Sequence, residues 1–257
     1  PLVIGKLKNS YVFASETCAL DIIGAKFVRD VENGEIVYVE DDELKSLKPF
    51  SPQKVRPCVF EYIYFSRPDS ILNGKTAYEY RKSFGAQLAK EDDLEADIVV
   101  PVPDSGNAAA LGYAQEKNIP FDLGLIRNHY VGRTFIEPSQ KIRSLGVKLK
   151  LNANLSVIKD KKIILIDDSL VRGTTSHKIV KMLYNAGAKE IHVRIASPEI
   201  KYPDFYGVDM PTKKELLASD KSIKEICDFI NAKSLKYLSI DGLYQAMGFD
   251  KRNNTYP

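Results

Sequence analysis

The stretch that decides the fold class of this 257-residue chain is residues 163–176, IILIDDSLVRGTTS. Four apolar residues end in two adjacent carboxylates, Asp167 and Asp168, and a polar turn leads into a helix that is expected to begin at about Thr175. A continuous apolar run of this kind is typical of a parallel strand that is buried on both faces. Because ligands of open parallel sheets bind beyond the carboxyl ends of the strands, the turn lies where a binding site is expected.

The segments around this stretch alternate between helical and strand patterns. We expect helices at residues 76–90, 105–117 and 176–186, and strands at residues 97–102, 121–126, 161–166 and 191–196. This alternation predicts an α/β fold with a doubly wound, mostly parallel sheet. The C-terminal region is expected to be helical, because Thr212 and Ser222 each precede a glutamate by three residues, the spacing of a capping box.

The first fifty residues have a different, β-rich pattern. Strands are expected at residues 1–4, 11–14 and 35–40. Asn33 and Gly34 have the chemistry of a tight turn, and they predict a hairpin between residues 26–31 and 35–40. Three prolines lie within residues 47–57, which are therefore expected to form a linker.

The turn after the acid pair has the composition of a phosphate-binding loop. Backbone N–H groups from Val171 to Thr175 are expected at a helix N-terminus, where anions bind well. Gly173 lets the backbone approach a phosphate closely, and Ser169 and Thr174 add hydroxyl donors. Carboxylates beside an anion site require hydroxyls or a cation between them, and magnesium is often held by one or two carboxylates with substrate phosphates. The sequence therefore predicts a sugar phosphate bound with magnesium.

A simpler interpretation is that Asp167 and Asp168 only cap the helix that follows them, as acidic residues often do. The apolar strand before the pair and the RGTT turn after it favour the binding site. Ser105 lies at the start of a second predicted helix at the same edge of the sheet. A simple N-cap role and a role in the site are both compatible with that position.

Composition limits the remaining classes of function. The formal net charge of +3, from 37 basic and 34 acidic residues, argues against nucleic acid or a membrane surface as a partner. No apolar run is long enough for a membrane span, and no signal-peptide pattern opens the chain. Three widely separated cysteines, Cys18, Cys58 and Cys227, favour reduced thiols and a cytoplasmic location.

The deciding stretch resembles the signature of type I phosphoribosyltransferases that bind 5-phosphoribosyl 1-diphosphate (PRPP), in which four apolar residues precede D-D-x-x-x-x-G-x-T. Further blocks are similar to one family, glutamine phosphoribosylpyrophosphate amidotransferase: SETCALDIIG at 15–24, VFEYIYFSRPDS at 59–70, VPDS at 102–105 and YVGRTFIEPSQ at 130–140. The resemblance implies a type I phosphoribosyltransferase fold over residues 51–257, ending in C-terminal helices. Residues 1–50 then correspond to a β-rich remnant of an N-terminal-nucleophile glutaminase domain.

The resemblance implies an amidophosphoribosyltransferase of purine synthesis, which converts PRPP and ammonia to 5-phosphoribosylamine and pyrophosphate. In the intact enzyme the ammonia comes from glutamine, but the nucleophilic N-terminal cysteine of the family is absent from these residues, so we expect no glutaminase activity from them. Mg²⁺, purine nucleotide feedback inhibitors and a homo-oligomer are also implied. The alternatives are a type I phosphoribosyltransferase that acts on a base and a regulatory domain that senses PRPP.

The resemblance also assigns roles to individual residues. The positions that match substrate contacts are Asp104, Ser105, Asp167, Asp168, Ser169, Val171, Arg172, Gly173, Thr174 and Thr175. Ser105, Asp167 and Asp168 match magnesium positions. The long polar segment 127–151 corresponds to a lid over PRPP, and within it Arg127, Tyr130 and Arg133 are the candidates for contacts with the diphosphate and the transition state.

Some members of the family hold an iron–sulfur cluster on four cysteines. Cys58 matches the first ligand position, whereas Asp204 stands in the segment where the second is expected, and the C-terminal C-x-x-C pair is absent. Because one ligand of four cannot hold a cluster, we expect none in this chain.

Overall fold

The structure is a computed structural model that describes residues 1–51, 53–130, 151–204 and 212–253. It forms two compact units, one comprising Pro1–Tyr80 with the described residues after Lys251, and the other comprising Arg81–Lys251. The assignment of residues 1–50 to a glutaminase remnant and of 51–257 to the phosphoribosyltransferase domain stays a prediction. Within the described ranges no helix is both long enough and apolar enough to cross a membrane.

The first unit opens with a small antiparallel sheet. Its strands are β1 (Val3–Leu7), β2 (Ser10–Ala14) and β3 (Lys26–Asp30), in the order β2-β1-β3. Helix α1 (Thr17–Ile23) connects β2 to β3 and ends at Gly24, whose φ of 71° is readily adopted by glycine. Leu20 of α1 packs with Val3 and Ala25 to form the core of this sheet.

The hairpin predicted at Asn33 and Gly34 is wrong. Strand β4 (Ile36–Glu40) instead pairs with β5 (Glu43–Leu47), and β3 pairs with β1. The turn between β4 and β5 is Asp41-Asp42, with φ values of 51° and 61°. A two-residue hairpin turn of this kind needs positive φ at both positions, and aspartate is among the residues that tolerate it.

Two of the sequence blocks that carry the family resemblance meet in this unit. The Glu16 carboxylate, just before α1, accepts hydrogen bonds from the Arg67 backbone N–H at 2.7 Å and from the Ser70 hydroxyl at 2.6 Å. Arg67 follows a short π-helical turn, Glu61–Phe65. The strands β6 (Ile71–Leu72) and β7 (Lys75–Thr76) then lead into helix α2 (Ala77–Lys90).

The second unit is built on a four-stranded parallel sheet. Its strands are β8 (Ile98–Pro101), β11 (Lys162–Asp167), β12 (Glu190–Ile195) and β13 (Ser234–Tyr237), in the order β13-β12-β11-β8. A separate antiparallel pair is formed by β9 (Leu125–Arg127) and β10 (Leu151–Ala153). The connecting helices are α3 (Asn107–Lys117), α4 (Leu155–Ile158), α5 (Thr174–Asn185), α6 (Leu217–Asp220), α7 (Ile223–Ile230) and α8 (Ile240–Ala246).

The two faces of this sheet are covered by different groups of helices. Val193 of β12 belongs to a core that includes Ile179 of α5 and Ile226 of α7. Its neighbour Arg194 faces the other way, because successive side chains of a strand alternate, and it bonds to Asp92 in the connection between α2 and β8. The predicted doubly wound α/β sheet is therefore confirmed.

The C-terminal region departs from the expected run of helices, because β13 adds an edge strand to the sheet. Only Leu235 and Tyr237 of its four residues are buried, and so short an apolar signal is easily missed. The capping box predicted at Ser222 is confirmed at the start of α7. Thr212 instead precedes a single 3₁₀ turn, Lys213–Glu215, and its side chain does not cap that turn.

Helices α2 and α3 cross with their backbones in contact. A methyl group added at Gly85 of α2 would lie 1.8 Å from the Ala109 carbonyl oxygen, and one added at Gly112 of α3 would lie 1.9 Å from the Lys82 carbonyl oxygen. No side chain fits at either position. The crossing therefore fixes α3, and with it the loop that leads from β8 into α3.

Candidate sugar-phosphate site

The acid pair lies at the carboxyl end of the central strand β11. Asp167 is the last residue of that strand and is in register with Ile195 of β12. Asp168 follows it and is 6% exposed. The Asp168 backbone N–H donates a 2.9 Å hydrogen bond to Oδ1 of Asp167, and the Ser169 hydroxyl donates a 2.8 Å bond to Oδ1 of Asp168.

Both carboxyl groups are held in an environment that disfavours their charge. Burial raises the pKa of Asp167 well above its ordinary value, and repulsion by Asp168 raises it further. Burial also raises the pKa of Asp168, against the opposing effects of Ser169, Ser105 and the positive charge of Arg81. Within the described part of the chain, Oδ2 of Asp168 is buried and has no hydrogen-bond partner. Such an oxygen indicates a site that a ligand or cation completes.

The interpretation of the acid pair as a helix cap is wrong. Helix α5 begins at Thr174, and Gly173 occupies the N-cap position without any side-chain cap. The same holds for Ser105, because α3 begins only at Asn107, with Gly106 as its uncapped N-cap residue. The carboxylates and the serine are therefore not used by the helices that follow them.

The loop from Ser169 to Thr175 has a polar outer side and an apolar support. Thr174 and Thr175 are exposed at the N-terminus of α5, where the first backbone N–H groups of a helix attract anions. Gly173 is buried with a φ of 67°, and a methyl group there would lie 2.4 Å from Cδ1 of Leu217. The loop thus presents hydroxyl and N–H donors on a backbone that only glycine fits well.

A second loop, from β8 to α3, lies beside the acid pair. A methyl group added at Gly106 would be 2.5 Å from the Ile166 carbonyl oxygen, so the two backbones touch just before Asp167. The Pro103–Asp104 peptide bond in this loop is cis. Ser105 is close enough to Asp167 and Asp168 to lower the pKa of both. The structure therefore brings the two predicted loops together at one edge of the sheet.

The predicted lid residues are only partly described. Arg127, at the end of β9, forms a salt bridge with Asp104, which connects the lid's first residue to the β8–α3 loop. Tyr130 is fully exposed. Arg133 and the rest of segment 131–150 lie outside the described residues, so their predicted contacts stay predictions.

Two residues near the site were not found from the sequence. Arg81 of α2 is 6% exposed, and its charge favours the ionised form of Asp168. The sequence held one clue to Arg81. It is a charged residue directly after the buried Tyr80, and it lies at helical spacing from the apolar residues Ala77 and Phe84 of α2. Glu215 accepts a 2.7 Å hydrogen bond from Nε of Arg172. No sequence pattern points to it, because 43 residues separate the partners.

The residues present fit a magnesium ion of the kind that shares its ligands with a substrate. Asp167 and Asp168 supply two carboxylates, and Oδ2 of Asp168 lacks a partner among the described residues. The described part of the chain contains no cluster of three or more His, Cys, Asp or Glu side chains that could hold a metal ion without further ligands. Mg²⁺ usually takes one or two carboxylates and completes its octahedron with water and phosphate oxygens.

The fold and the site define a phosphoribosyltransferase. Residues 69–207 match the model of the phosphoribosyl transferase domain family, and the chain belongs to that family. Its parallel sheet, with the acid pair ending the central strand, is the type I form of the fold predicted from the sequence.

The full-length relatives are amidophosphoribosyltransferases. The chain is 56% identical to the amidophosphoribosyltransferase of Rhizobium etli and 52% identical to the chloroplastic amidophosphoribosyltransferase 1 of Arabidopsis thaliana, in both cases over its whole length. It covers 53% and 45% of those two proteins, and so spans about half the length of the curated relatives it matches. The predicted resemblance to this family is confirmed.

A solved structure agrees with this result. The glutamine PRPP amidotransferase from B. subtilis, complexed with ADP and GMP, superposes with a TM-score of 0.91 at 48% identity. That match covers the whole of this chain and 57% of the B. subtilis chain. None of these relatives carries the name of a base-specific phosphoribosyltransferase or of a regulator.

Proposed function

We propose that this chain supplies the PRPP site of an amidophosphoribosyltransferase, which converts PRPP and ammonia to 5-phosphoribosylamine and pyrophosphate. The observation that carries the proposal is the acid pair next to the donor-lined N-terminus of α5. Asp168 of this pair is buried, and its Oδ2 has no hydrogen-bond partner among the described residues. A carboxylate pair beside an anion site suits a ligand that presents hydroxyls and phosphates within a few ångströms of one another. A ribose phosphate has that chemistry.

The two loops have complementary parts in binding. Asp167 and Asp168 accept hydrogen bonds from the ribose hydroxyls, and the 5′-phosphate lies on the backbone N–H groups and hydroxyls from Ser169 to Thr175. The diphosphate lies towards Asp104 and Ser105 in the loop before α3. Arg127 reaches that loop already, through its salt bridge with Asp104, and can exchange the carboxylate for a diphosphate oxygen.

Magnesium would be held by Asp167, Asp168 and Ser105 together with oxygens of PRPP. When bound, it supplies positive charge that stabilises the leaving pyrophosphate. Arg127 adds to this charge from the protein, through its guanidinium group. We expect no iron–sulfur cluster, because Cys58 alone matches the ligand positions.

The reaction requires positioning more than covalent chemistry. The bond between C1 of the ribose and the diphosphate oxygen breaks, positive charge develops on the ring, and the ammonia nitrogen forms the new bond to C1 before it loses a proton. The carboxylates and the helix N-terminus hold the sugar in place during this exchange. Water would compete with ammonia for C1, so a lid formed by residues 127–151, with Arg127, Tyr130 and Arg133 among its contacts, has the role of excluding it.

The properties of the whole protein are part of the same proposal. We propose that glutamine is the source of ammonia in the complete enzyme, and that purine nucleotides inhibit it, which is supported by the ADP and GMP bound to the B. subtilis relative. A homo-oligomer is proposed from the family resemblance, and a cytoplasmic location from the three free cysteines. The balanced charge argues against nucleic acid or membrane partners.

The test is to incubate the chain with PRPP, Mg²⁺ and ammonium, and to measure released pyrophosphate together with phosphoribosylamine. Parallel reactions replace ammonium with orotate, adenine, guanine or hypoxanthine. Product in the ammonium reaction alone supports the proposal. Product with a base, or salt-sensitive DNA retention without turnover, contradicts it in favour of the two alternatives.

A further inference from the structure

The phosphate loop rests on a C-terminal support that lies outside the matched family domain. This support, here defined as residues 213–230, comprises the 3₁₀ turn Lys213–Glu215 and helices α6 and α7. The backbone N–H of Leu217 donates a 3.0 Å hydrogen bond to the Val171 carbonyl. The side chain of Leu217 covers Gly173, and Nδ1 of His177 donates a 2.9 Å bond to the Phe229 carbonyl. Backbone and side-chain contacts therefore attach the loop to the support.

One side-chain contact in this arrangement involves a residue of the loop itself. Nε of Arg172 donates a 2.7 Å hydrogen bond to Oε2 of Glu215. The other oxygen of Glu215 accepts a 3.3 Å bond from the Thr212 hydroxyl. Among the described residues, Glu215 is the only hydrogen-bond partner of Arg172, so its two terminal nitrogens keep their donors for another acceptor.

The exposure of this pair argues against a large contribution to stability. The Arg172 and Glu215 side chains are 57% and 45% exposed, and exposed ion pairs contribute little to folding stability. An arginine side chain loses rotamer entropy when it is fixed in one conformation. A partner that already holds Nε removes part of that cost from ligand binding, while the remaining N–H groups can still bind an oxyanion.

We propose that Glu215 is a positioning residue, which holds the Arg172 guanidinium so that its terminal N–H groups contact a phosphate group of PRPP. The inference rests on the proposed function, since it names a further determinant of the same site. It makes a prediction opposite to that of simple electrostatics. Removing a negative charge near an anion site should strengthen binding, whereas removing a positioning residue should weaken it.

Three variants separate these effects. Glu215→Ala removes both charge and acceptor, whereas Glu215→Gln removes the charge but keeps an oxygen that can accept from Nε of Arg172. Electrostatics alone predicts that both variants bind PRPP more tightly and to a similar degree. The matched control is Glu116→Ala, an exposed glutamate in the last turn of α3, at the end of that helix away from Ser105.

The experiment measures the dissociation constant and KM for PRPP with Mg²⁺, together with kcat for ammonia, at one salt concentration. We expect Glu215→Ala to weaken PRPP binding about tenfold, equivalent to 1.4 kcal/mol, with kcat largely kept. Glu215→Gln should restore most of the affinity, and Glu116→Ala should match the unmodified protein. In an Arg172→Ala background, Glu215→Ala should have no further effect.

The opposite results overturn the inference. Unchanged or tighter binding by Glu215→Ala contradicts a positioning role, as does an equal loss in the Arg172→Ala background. Thermal unfolding of each variant checks for structural damage. If Glu215→Ala unfolds at a lower temperature than the parent, PRPP affinity is compared instead for Glu215→Gln with and without Arg172→Ala. Failure of the unmodified chain to bind PRPP at all would instead refute the proposed function, and is seen before any variant is made.

Discussion

The backbone N–H of Asp168 donates a 2.9 Å hydrogen bond to Oδ1 of Asp167, so the peptide group of the second acid orients the carboxylate of the first. The second carboxylate is held through Oδ1, which accepts from the Ser169 hydroxyl at 2.8 Å, but its Oδ2 is buried without a partner among the described residues. A buried carboxylate that is incompletely bonded costs stability. The incompletely bonded carboxylate of Asp168 therefore costs the unliganded fold stability, which a bound ligand would offset under the proposed function.

Asp168→Asn tests this balance. The loss of the carboxylate should weaken PRPP binding in the presence of Mg²⁺ by about 100-fold, or roughly 3 kcal/mol, because a charged hydrogen-bonding group is lost from the site. Thermal stability should be kept or should rise, since a buried charge is removed. Calorimetric titration and thermal unfolding measure the two effects. Asp93→Asn, at an exposed position before β8, is the control and should change neither. Unchanged PRPP affinity in Asp168→Asn would sink the assigned role.

Gly173→Ala should disturb the phosphate loop in two ways. Its φ of 67° costs an alanine about 1–2 kcal/mol, and its new methyl group would lie 2.4 Å from Leu217. Gly24 has a φ of 71°, and no described atom lies within 4 Å of a methyl group added there, so Gly24→Ala isolates the backbone cost. We expect the Gly173 variant alone to lose affinity for PRPP, measured by titration. If Gly173→Ala keeps the PRPP affinity of the parent, neither the positive φ at this position nor the contact with Leu217 matters for binding.

Breaking the buried pair of Asp92 and Arg194 should strongly destabilise the second unit. Both side chains are almost fully buried, and the Tyr113 hydroxyl donates a further 2.6 Å bond to Asp92. Burial raises the pKa of Asp92, but the hydrogen bonds from Arg194 and Tyr113 outweigh it, so the net pKa is lowered.

Asp92→Asn should therefore cost about 3–5 kcal/mol, because it leaves the Arg194 charge buried without its counterion. Tyr113→Phe removes a single hydrogen bond to a charged group and should cost about 1.5–3 kcal/mol. Urea unfolding at neutral pH measures both. An Asp92→Asn protein as stable as the parent would contradict this account of the pair.

Glu35 should make the first unit sensitive to acid. Its carboxylate accepts hydrogen bonds from Arg29, from the Ser46 hydroxyl and from the backbone of Glu32, and these lower its pKa to about 2. A carboxyl whose pKa is lower in the folded state stabilises the fold above its unfolded pKa. That stabilisation is lost as the pH falls from about 4.5 towards 2.

Glu35→Gln should flatten the pH dependence of stability in that window. Hydrogen exchange of residues 26–47 between pH 5 and 2.5 reports on this region directly. Glu43→Gln, at an exposed position of β5, is the control and should keep the acid sensitivity of the parent. A Glu35→Gln protein that loses protection on acidification as steeply as the parent would disprove the assignment.

The sequence alone predicted the parts of the fold that depend on a strong local pattern of residues. Residues 163–166 form a buried strand, the acid pair ends it, and α5 follows, because the apolar run and the turn chemistry agree with the global fold. The capping box at Ser222 also depends only on residues within one turn. These features required no knowledge of distant contacts.

Features that depend on distant partners were missed. The hairpin at Asp41-Asp42 was overlooked because β3 pairs with β1 rather than with the next strand, and local turn chemistry cannot decide that choice. The edge strand β13 has only two buried residues. The roles of Arg81 and Glu215 arise from contacts between separate elements of the second unit, which spacing along the chain does not encode.

The contact between Gly85 and Ala109 has a consequence for the redesign of this chain. Because α3 starts from the loop that carries Ser105, any larger residue at Gly85 or Gly112 would have to displace α3, and that loop with it. Two residues without side-chain functional groups therefore set the distance between α2 and α3, on which the position of the candidate site's second loop depends. Libraries that vary loop residues to change substrate choice should hold both glycines constant, since variation there would abolish the geometry that every loop sequence requires.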